Sequence, residues 1–214
     1  MPHRYSGNGG KISNSCLLPI QLQMKDIEKK YAALFGIDRE RWKIFKDYLI
    51  SQSVEKNEYL LREGQYVNSL GFLITGALRT FYTDEKGNEI SFLLQTDDSF
   101  FGDFGSYLLE SPSRLNIQAI EYCEIWFIEK EALEGLYLTD IYWMQFGKQM
   151  AEKIFLDARQ RIEELLYLNP EQRYLHLLAK TPELHKKIPQ KYLSSYLGIT
   201  PQSLSKIRKR ISKY

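Results

Sequence analysis

Basic and amide side chains recur at helical spacing near the end of the chain, which reads IPQKYLSSYLGITPQSLSKIRKRISKY from Ile188 to Tyr214. At about 100° per residue, the polar members of the last segment fall on one face of a helix. That face carries Gln202, Lys206, Lys209 and Lys213, flanked by Ser203, Ser205 and Arg210. Because such side chains hydrogen-bond to base edges and phosphate oxygens, the pattern indicates a surface that binds a polyanion.

The surrounding residues predict two short helices joined by a tight turn. Leu193 and Leu197 share one face of a first helix, and Gly198 follows where a left-handed residue favours glycine. Thr200 then caps a second helix that has Pro201 in its first turn. An apolar stripe on the second helix faces the first: Leu204, Ile207 and Ile211.

A helix of this kind fits the major groove of B-DNA, which is roughly 12 Å wide. The residues near its start lie closest to the base edges, so Gln202, Ser203 and Lys206 are the candidate base-reading side chains. The remaining candidates for contacts with DNA are Thr200, Ser205, Lys209, Arg210 and Lys213, the last three of which are expected on phosphates. A basic helix that only maintains solubility is the alternative.

Charge is distributed unevenly along the 214 residues. The formal net charge is +2, but residues 170–214 carry +8, which leaves −6 on the remainder. This asymmetry predicts that the C-terminal part alone binds nucleic acid. With 43% hydrophobic residues, the chain is long enough for one good core and a small second domain.

Few residues offer metal-binding or catalytic chemistry. Cys16 and Cys123 are too few for a disulfide framework, a zinc site or an iron–sulfur cluster, which favours a reducing, cytoplasmic location. The histidines His3, His176 and His185 stand in no metal or triad context. No apolar run is long enough to span a membrane. The sequence therefore predicts a protein that is not an enzyme, has no metal site and has no membrane partner.

The first two thirds of the chain change from helical to strand periodicity. Residues 1–22 lack any pattern and are expected to be a disordered lead, and Met24 to about Ile50 predicts two helices split near Gly36. After Asn57, six runs separated by turn residues predict an antiparallel barrel or sandwich without intervening helices over about 70 residues. The runs are EYLL, LGFLIT, ALRTFYT, EISFLL, LNIQAI and EIWFIE.

Helical periodicity returns at Glu131 and continues to Leu168, with a break near Leu138. Two heptad core positions can be assigned within it, one holding Ile141, Lys148, Phe155 and Ile162 and the other Met144, Ala151, Ala158 and Leu165. This seam predicts self-association as a two-stranded coiled coil, with packing of the helix on the β-structure as the alternative. Asn169-Pro170 ends the helix.

This order of elements resembles the Crp/Fnr family of bacterial transcription regulators. Two segments carry the resemblance: GFLITGALRTFYTDEKGNEISFLLQTDDSFFGD, similar to the cyclic-nucleotide-binding β-roll, and NPEQRYLHLLAKTPELHKKIPQKYLSSYLGITPQSLSKIRKR, similar to the DNA-binding end. The resemblance implies an α+β fold with an antiparallel β-roll over residues 23–136, a long dimerisation helix over 137–169 and a helix-turn-helix over 170–214. The last domain is expected to be winged-helix-like but without the wing after the recognition helix.

What the resemblance implies about function is an effector-responsive, sequence-specific regulator that binds a palindromic operator in double-stranded DNA as a homodimer and contacts RNA polymerase. Lys186, Lys187 and Lys191 are expected to replace the phosphate contacts of the missing wing. Two alternatives remain: a constitutive DNA-binding regulator whose β-roll is structural, and a cyclic-nucleotide-binding regulatory subunit of an enzyme.

The effector pocket departs from the family pattern. Cyclic-AMP-binding relatives use a Gly-Glu pair on the ribose and, about ten residues on, an Arg-Ser pair on the phosphate. The corresponding candidates here are Gly102, Asp103, Phe104, Ser113 and Arg114, with Arg159 in place of a ligand-facing hydroxyl on the long helix. An ungapped match puts serine at the arginine position, and a one-residue shift in a strand turns the side chain to the other face. This mismatch disfavours a cyclic nucleotide and leaves a different small-molecule effector open. In the alternative interpretation, Asp103 caps a loop and Arg114 is solvated.

Overall fold

The structure, a computed structural model, describes residues 29–182 and 184–211. The predicted lead at residues 1–22 and the candidate DNA contact Lys213 lie outside the described residues. The chain divides into two units, Met1–Tyr48 and Leu49–Tyr214.

Two helices make up the described part of the first unit. The first, α1, is described from residue 29 to residue 35, and Gly36 ends it in the left-handed conformation at φ 68°. The second, α2 (Arg39–Lys46), starts after its cap Asp38. Three aromatic rings pack at centroid separations of 5.7 to 6.1 Å: Phe35, Trp42 and Phe45. The predicted pair of helices with a break near Gly36 is therefore confirmed.

Antiparallel strands form two four-stranded sheets in the described part of the second unit, in the orders β1-β8-β3-β6 and β2-β7-β4-β5. The strands are β1 (Ile50–Val54), β2 (Tyr59–Leu61), β3 (Ser69–Thr75), β4 (Ala77–Thr83), β5 (Glu89–Thr96), β6 (Ser99–Phe101), β7 (Asn116–Ala119) and β8 (Cys123–Glu129). Each of the six predicted runs coincides with a strand, with only Glu58, Leu115 and Ile120 falling just outside, which confirms the antiparallel β-domain.

Three elements of this domain differ from the sequence-based expectation. The sequence predicts a helix that ends near Ile50, but Ile50 begins β1, whose first four residues are exposed and show no apolar alternation. Strand β6 has three residues, too few to show a period. A short helix, α3 (Phe104–Leu109), interrupts the strands, so the expectation of strands without intervening helices is wrong. Asp103 caps α3, and such a cap is the alternative interpretation of that residue.

Residues on the inward faces of the strands fill the space between the sheets. This cluster contains Val54, Leu61, Leu73, Leu78, Ile117, Ala119, Cys123 and Ile125. On β4 the outward neighbours Ala77 and Arg79 are also buried, at 0% and 3% exposure. Because side chains alternate along a strand, β4 must be covered on both faces.

Helices complete the unit: α4 (Lys130–Tyr137), α5 (Ile141–Tyr167), α6 (Pro170–Lys180), α7 (Leu184–Lys187), α8 (Gln190–Tyr196) and α9 (Pro201–Ile211). Leu138 follows α4 as its C-cap, which confirms the predicted break. The 27 residues of α5 span about 40 Å. Asn169 caps α6 through a capping box with Gln172. Among the described residues, no helix combines the length and apolar character that crossing a bilayer requires.

Gly76, between β3 and β4, has a φ of 117°, a backbone conformation that residues with a side chain rarely adopt. A Cβ there would lie 2.6 Å from Cys123 Sγ and 2.7 Å from the carbonyl oxygen of Tyr122. We expect Gly76→Ala to lower the free energy of unfolding by about 3 kcal/mol, because backbone strain and overpacking add. Urea denaturation of the purified protein measures the loss.

Gly87→Ala is the matched control for this prediction. Gly87 also has a positive φ, 81°, but a Cβ added there would meet nothing within 4 Å. Gly87→Ala adds only backbone strain, so we expect it to lower the free energy of unfolding by about 1 kcal/mol. Equal losses in the two variants would contradict the assigned crowding at Gly76.

Candidate functional site

The turn between α8 and α9 has the geometry of a helix-turn-helix. Gly198 follows the C-cap of α8 at φ 68°, and its N–H donates to Ser195 O at 3.0 Å. The Oγ1 of Thr200 accepts from Ser203 N at 3.2 Å and so caps α9. Three leucines pack the two helices together at 0% exposure: Leu193, Leu197 and Leu204. The cap, the turn and the apolar stripe lie where the sequence predicts them.

A side-chain clamp that the sequence did not reveal joins the starts of the two helices. The Nε2 of Gln190 donates to Pro201 O at 2.8 Å and to Ser205 Oγ at 2.6 Å. Recognising this pair would require knowing how the helices cross, and no sequence period gives that crossing. The clamp fixes the start of α9, which is where base edges would be read.

The outward face of α9 is exposed over Gln202, Lys206 and Lys209. Four further predicted DNA contacts are bonded within the chain: Thr200 Oγ1 lies 3.0 Å from Ser203 Oγ, Ser205 is held by Gln190, and Arg210 pairs with Glu171 at 2.8 Å. The Arg210 side chain is 60% exposed, so its ion pair is weak enough for a phosphate to replace Glu171.

Two arginines hold the back of this helix pair against the end of α5. The guanidinium of Arg161 donates to Tyr196 O and lies 3.7 Å from the centre of the Tyr196 ring. Burial lowers the pKa of Arg161. Arg173 donates to Leu168 O at 2.6 Å and to Leu197 O at 2.9 Å. No sequence pattern indicated these contacts, because an arginine on a helix is usually solvated.

Helix α5 presents two faces. Trp143, Phe146 and Arg161 are buried on one side. Most of the predicted heptad seam lies on the exposed side: Ile141, Met144, Phe155, Ile162 and Leu165. Lys148, the irregular position of the seam, forms an ion pair with Glu152. The helix therefore packs on its own unit and still exposes an apolar stripe.

The candidate effector residues of the β-roll surround the carboxylate of Asp103. Its Oδ2 accepts from Ser106 Oγ at 2.7 Å and from Ser113 Oγ at 2.8 Å, and its Oδ1 accepts from Ser106 N at 3.1 Å. Gly102 precedes it at φ 143°, and the ring of Phe104 stacks on Tyr107 at 6.0 Å. The structure thus brings Gly102, Asp103, Phe104 and Ser113 together. Ser113 hydrogen-bonds to the carboxylate.

The two candidate arginines are placed differently. Arg114 is exposed next to this cluster. Burial raises the pKa of Tyr82, Asp103 raises it further and Arg114 opposes the rise, so both groups act on that phenol. Arg159 lies on α5 and donates to Glu163 at 2.9 Å. Of the two arginines, Arg114 is therefore the cation adjacent to the candidate anion site.

The contacts of Cys123 and His176 are those of residues with a structural role. The thiol of Cys123 is buried and donates to Ala77 O at 3.5 Å, and burial raises its pKa. A raised pKa suits a packed thiol rather than a reactive one. Nδ1 of His176 lies 2.9 Å from Glu164, which joins α6 to α5. Within residues 29–182 and 184–211, no three acidic, histidine or cysteine side chains cluster as metal ligands.

Comparison with known proteins identifies the fold. Residues 51–140 match the cyclic nucleotide-binding domain family. No curated protein matches the chain. FixK2 from Bradyrhizobium japonicum superposes with a TM-score of 0.68 at 16% identity, over 77% of this chain and 85% of FixK2.

Two further solved structures are similar. The c-di-GMP responsive global regulator CLP of Xanthomonas campestris has a TM-score of 0.61 at 18% identity, over 82% of this chain and 92% of CLP. The catabolite activator protein of Thermus thermophilus has a TM-score of 0.53 at 18% identity, over 84% of this chain and 86% of its own. Residues 51–140 are therefore a domain of the cyclic nucleotide-binding family, in a chain that has the fold of the Crp/Fnr transcription regulators.

Proposed function

We propose that the chain is a sequence-specific DNA-binding transcription regulator, not an enzyme, that acts in the cytoplasm as a homodimer. The observation that carries this proposal is the outward face of α9, where Gln202, Lys206 and Lys209 are exposed on a capped and clamped helix. Gln and Lys are side chains that hydrogen-bond to adenine and guanine in the major groove. The fold of known transcription regulators supports the same conclusion.

The exposed stripe on α5 supports a dimer. Large apolar side chains in heptad register, such as Phe155 at 65% and Ile162 at 57% exposure, are costly in water. A second copy of α5 would cover them as a parallel coiled coil. A two-fold axis along that seam would present two copies of α9, and half-sites about 34 Å apart would make the operator palindromic. Contact with RNA polymerase follows as part of this role.

We infer that the β-roll responds to a small molecule other than cyclic AMP. Arg114 is the candidate cation near Asp103, and Ser113, which the resemblance aligns with a phosphate-binding arginine, hydrogen-bonds to Asp103 instead. A constitutive regulator is the second candidate, favoured by the hydrogen bonds that Asp103 receives from Ser106 and Ser113. DNA affinity that is equal across a metabolite panel would select the constitutive form. Mass spectrometry of molecules retained on the purified protein would identify an effector.

We expect Lys206→Ala to weaken binding to a duplex selected by the wild-type protein by about 1–3 kcal/mol and to relax the preference at one base pair. The reason is loss of a side chain that reaches base edges from the exposed face of α9. Competition binding against randomised duplexes measures both effects. Lys86→Ala, which removes another exposed lysine, from the β4–β5 turn, is the control. Identical affinity and base preference in the two variants would reject this assignment.

We expect Phe155→Glu to raise the dimer dissociation constant at least about tenfold, because it replaces buried apolar area by two facing carboxylates at the seam. Sedimentation velocity over a range of protein concentrations measures the shift. Tyr66→Glu changes another exposed aromatic residue, 62% exposed and outside α5, and should leave assembly unchanged. A wild-type protein that is monomeric at high concentration would refute the assignment of the α5 stripe as a dimer interface.

A further inference from the structure

The basic helices before α9 are docked on acidic residues of the β-roll. Nζ of Lys187, at the end of α7, lies 2.7 and 2.8 Å from the two carboxylate oxygens of Asp97 and 3.5 Å from Glu121. Asp97 Oδ1 also accepts from Gly76 N at 2.7 Å, which fixes the carboxylate at the start of β4. A lysine expected on DNA phosphate is therefore neutralised by its own sensor domain.

A second contact joins α8 to strand β5, which lies at the end of its sheet. The Oγ of Ser195 accepts from Ser91 N at 2.9 Å and lies 3.3 Å from Glu89 O, to which it donates. An edge strand carries backbone groups that need partners, and here α8 supplies them. Hydrogen exchange of the Ser91 amide therefore reports whether α8 is docked on β5.

A third contact buries an arginine between the two parts. Arg79, on the outward face of β4, lies 3.9 Å from the ring centre of Phe81 and 4.0 Å from that of Tyr192 on α8. Its guanidinium donates twice to Gln118 Oε1, at 2.9 and 2.6 Å, and once to Glu89, at 2.6 Å. If α8 moved away, the arginine would keep Gln118 and Glu89 and gain water, but it would lose its contact with the Tyr192 ring.

The interface between the β-roll and helices α7 and α8 has the composition of one that can separate. On the β-roll side its apolar part consists of Ala77, Ile120 and the partly buried Leu94, which meet the leucine cluster of the helix-turn-helix. The rest consists of charged and hydroxyl groups, as in transient rather than permanent domain interfaces. Burial opposes the charge on Asp97, but hydrogen bonds from Lys187 and Gly76 outweigh it and hold the pKa of Asp97 below its usual value. The ion pair is thus fully charged at neutral pH.

We propose that this contact is an autoinhibitory latch: Asp97 and Glu121 hold Lys187 against the β-roll and compete with DNA phosphates for it. The proposal rests on the proposed DNA-binding function. While Lys187 is paired with Asp97, it cannot bind a DNA phosphate and so releases no counterion from the DNA. Asp97 and Glu121 also repel any phosphate that approaches the start of α8. The first helix of a helix-turn-helix crosses the phosphate backbone, so that repulsion acts where the DNA would pass. Opening the latch restores the charge of Lys187 to the binding surface.

The test uses the full-length Asp97→Asn variant. Asparagine keeps an oxygen for the Gly76 N–H but loses the charge that holds Lys187. We expect the Ser91 amide to exchange with deuterium about threefold faster and DNA to bind about threefold tighter, as for one partly exposed ion pair. The slope of log affinity against log salt should steepen by about 0.9, as for one added phosphate contact.

Two matched variants separate the latch from a general charge effect. Glu131→Gln removes one negative charge from the first turn of α4 and should change neither exchange nor affinity. In a Lys187→Gln background, Asp97→Asn should no longer speed the exchange of the Ser91 amide, because the ion pair is already gone. Faster exchange on adding Asp97→Asn in that background would overturn the proposal.

The exchange measurement distinguishes failure of the latch from failure of the proposed function. Unchanged Ser91 exchange in Asp97→Asn overturns the latch, whatever the DNA affinity. Faster exchange with unchanged affinity, in a protein that binds DNA, overturns the inhibitory role alone. If neither wild type nor variant binds any duplex at low ionic strength, the proposed function fails and the inhibitory role fails with it.

Discussion

Burial of both faces of β4 is the constraint on which the rest of the second unit depends. Leu78 points into the cluster between the sheets, whereas Ala77 and Arg79 point outward and are equally inaccessible to water. A strand with two buried faces needs a second layer. The helix-turn-helix supplies that layer, so the β-roll and the helix-turn-helix share a continuous packed cluster.

The position of the helix-turn-helix is set by two anchors of different kinds. Arg161 and Arg173 bind carbonyl oxygens at the end of α8 and hold it to α5. Ser195 and Lys187 hold α8 and α7 to the edge of the β-roll. The first anchor lies among buried groups and is costly to break, whereas the second is an ion pair and a hydroxyl contact near solvent. A change of orientation would therefore break the β-roll contacts first.

The β-roll matches the cyclic nucleotide-binding domain family over residues 51–140, and its candidate effector residues hydrogen-bond to one another. Ser113 donates to the carboxylate of Asp103. The match to the cyclic nucleotide-binding family over residues 51–140 thus describes the architecture of the domain. What the candidate effector site around Asp103 can bind depends on the side chains of this chain, and Arg114 is an exposed cation among them.

The sequence by itself determined the features that arise from neighbours a few residues apart. The cap at Thr200, the turn at Gly198 and the break at Leu138 follow from local backbone preferences, and the longer strands follow from runs of β-branched and aromatic residues between turn residues. Strands β1 and β6 and helix α3 were missed because short segments carry too little periodicity, and pairing or a single cap stabilises them. Only the tertiary structure paired Gln190 with Ser205, Lys187 with Asp97 and Arg79 with Tyr192. These partners are distant along the chain, and their contact depends on how whole elements pack, which no local pattern encodes.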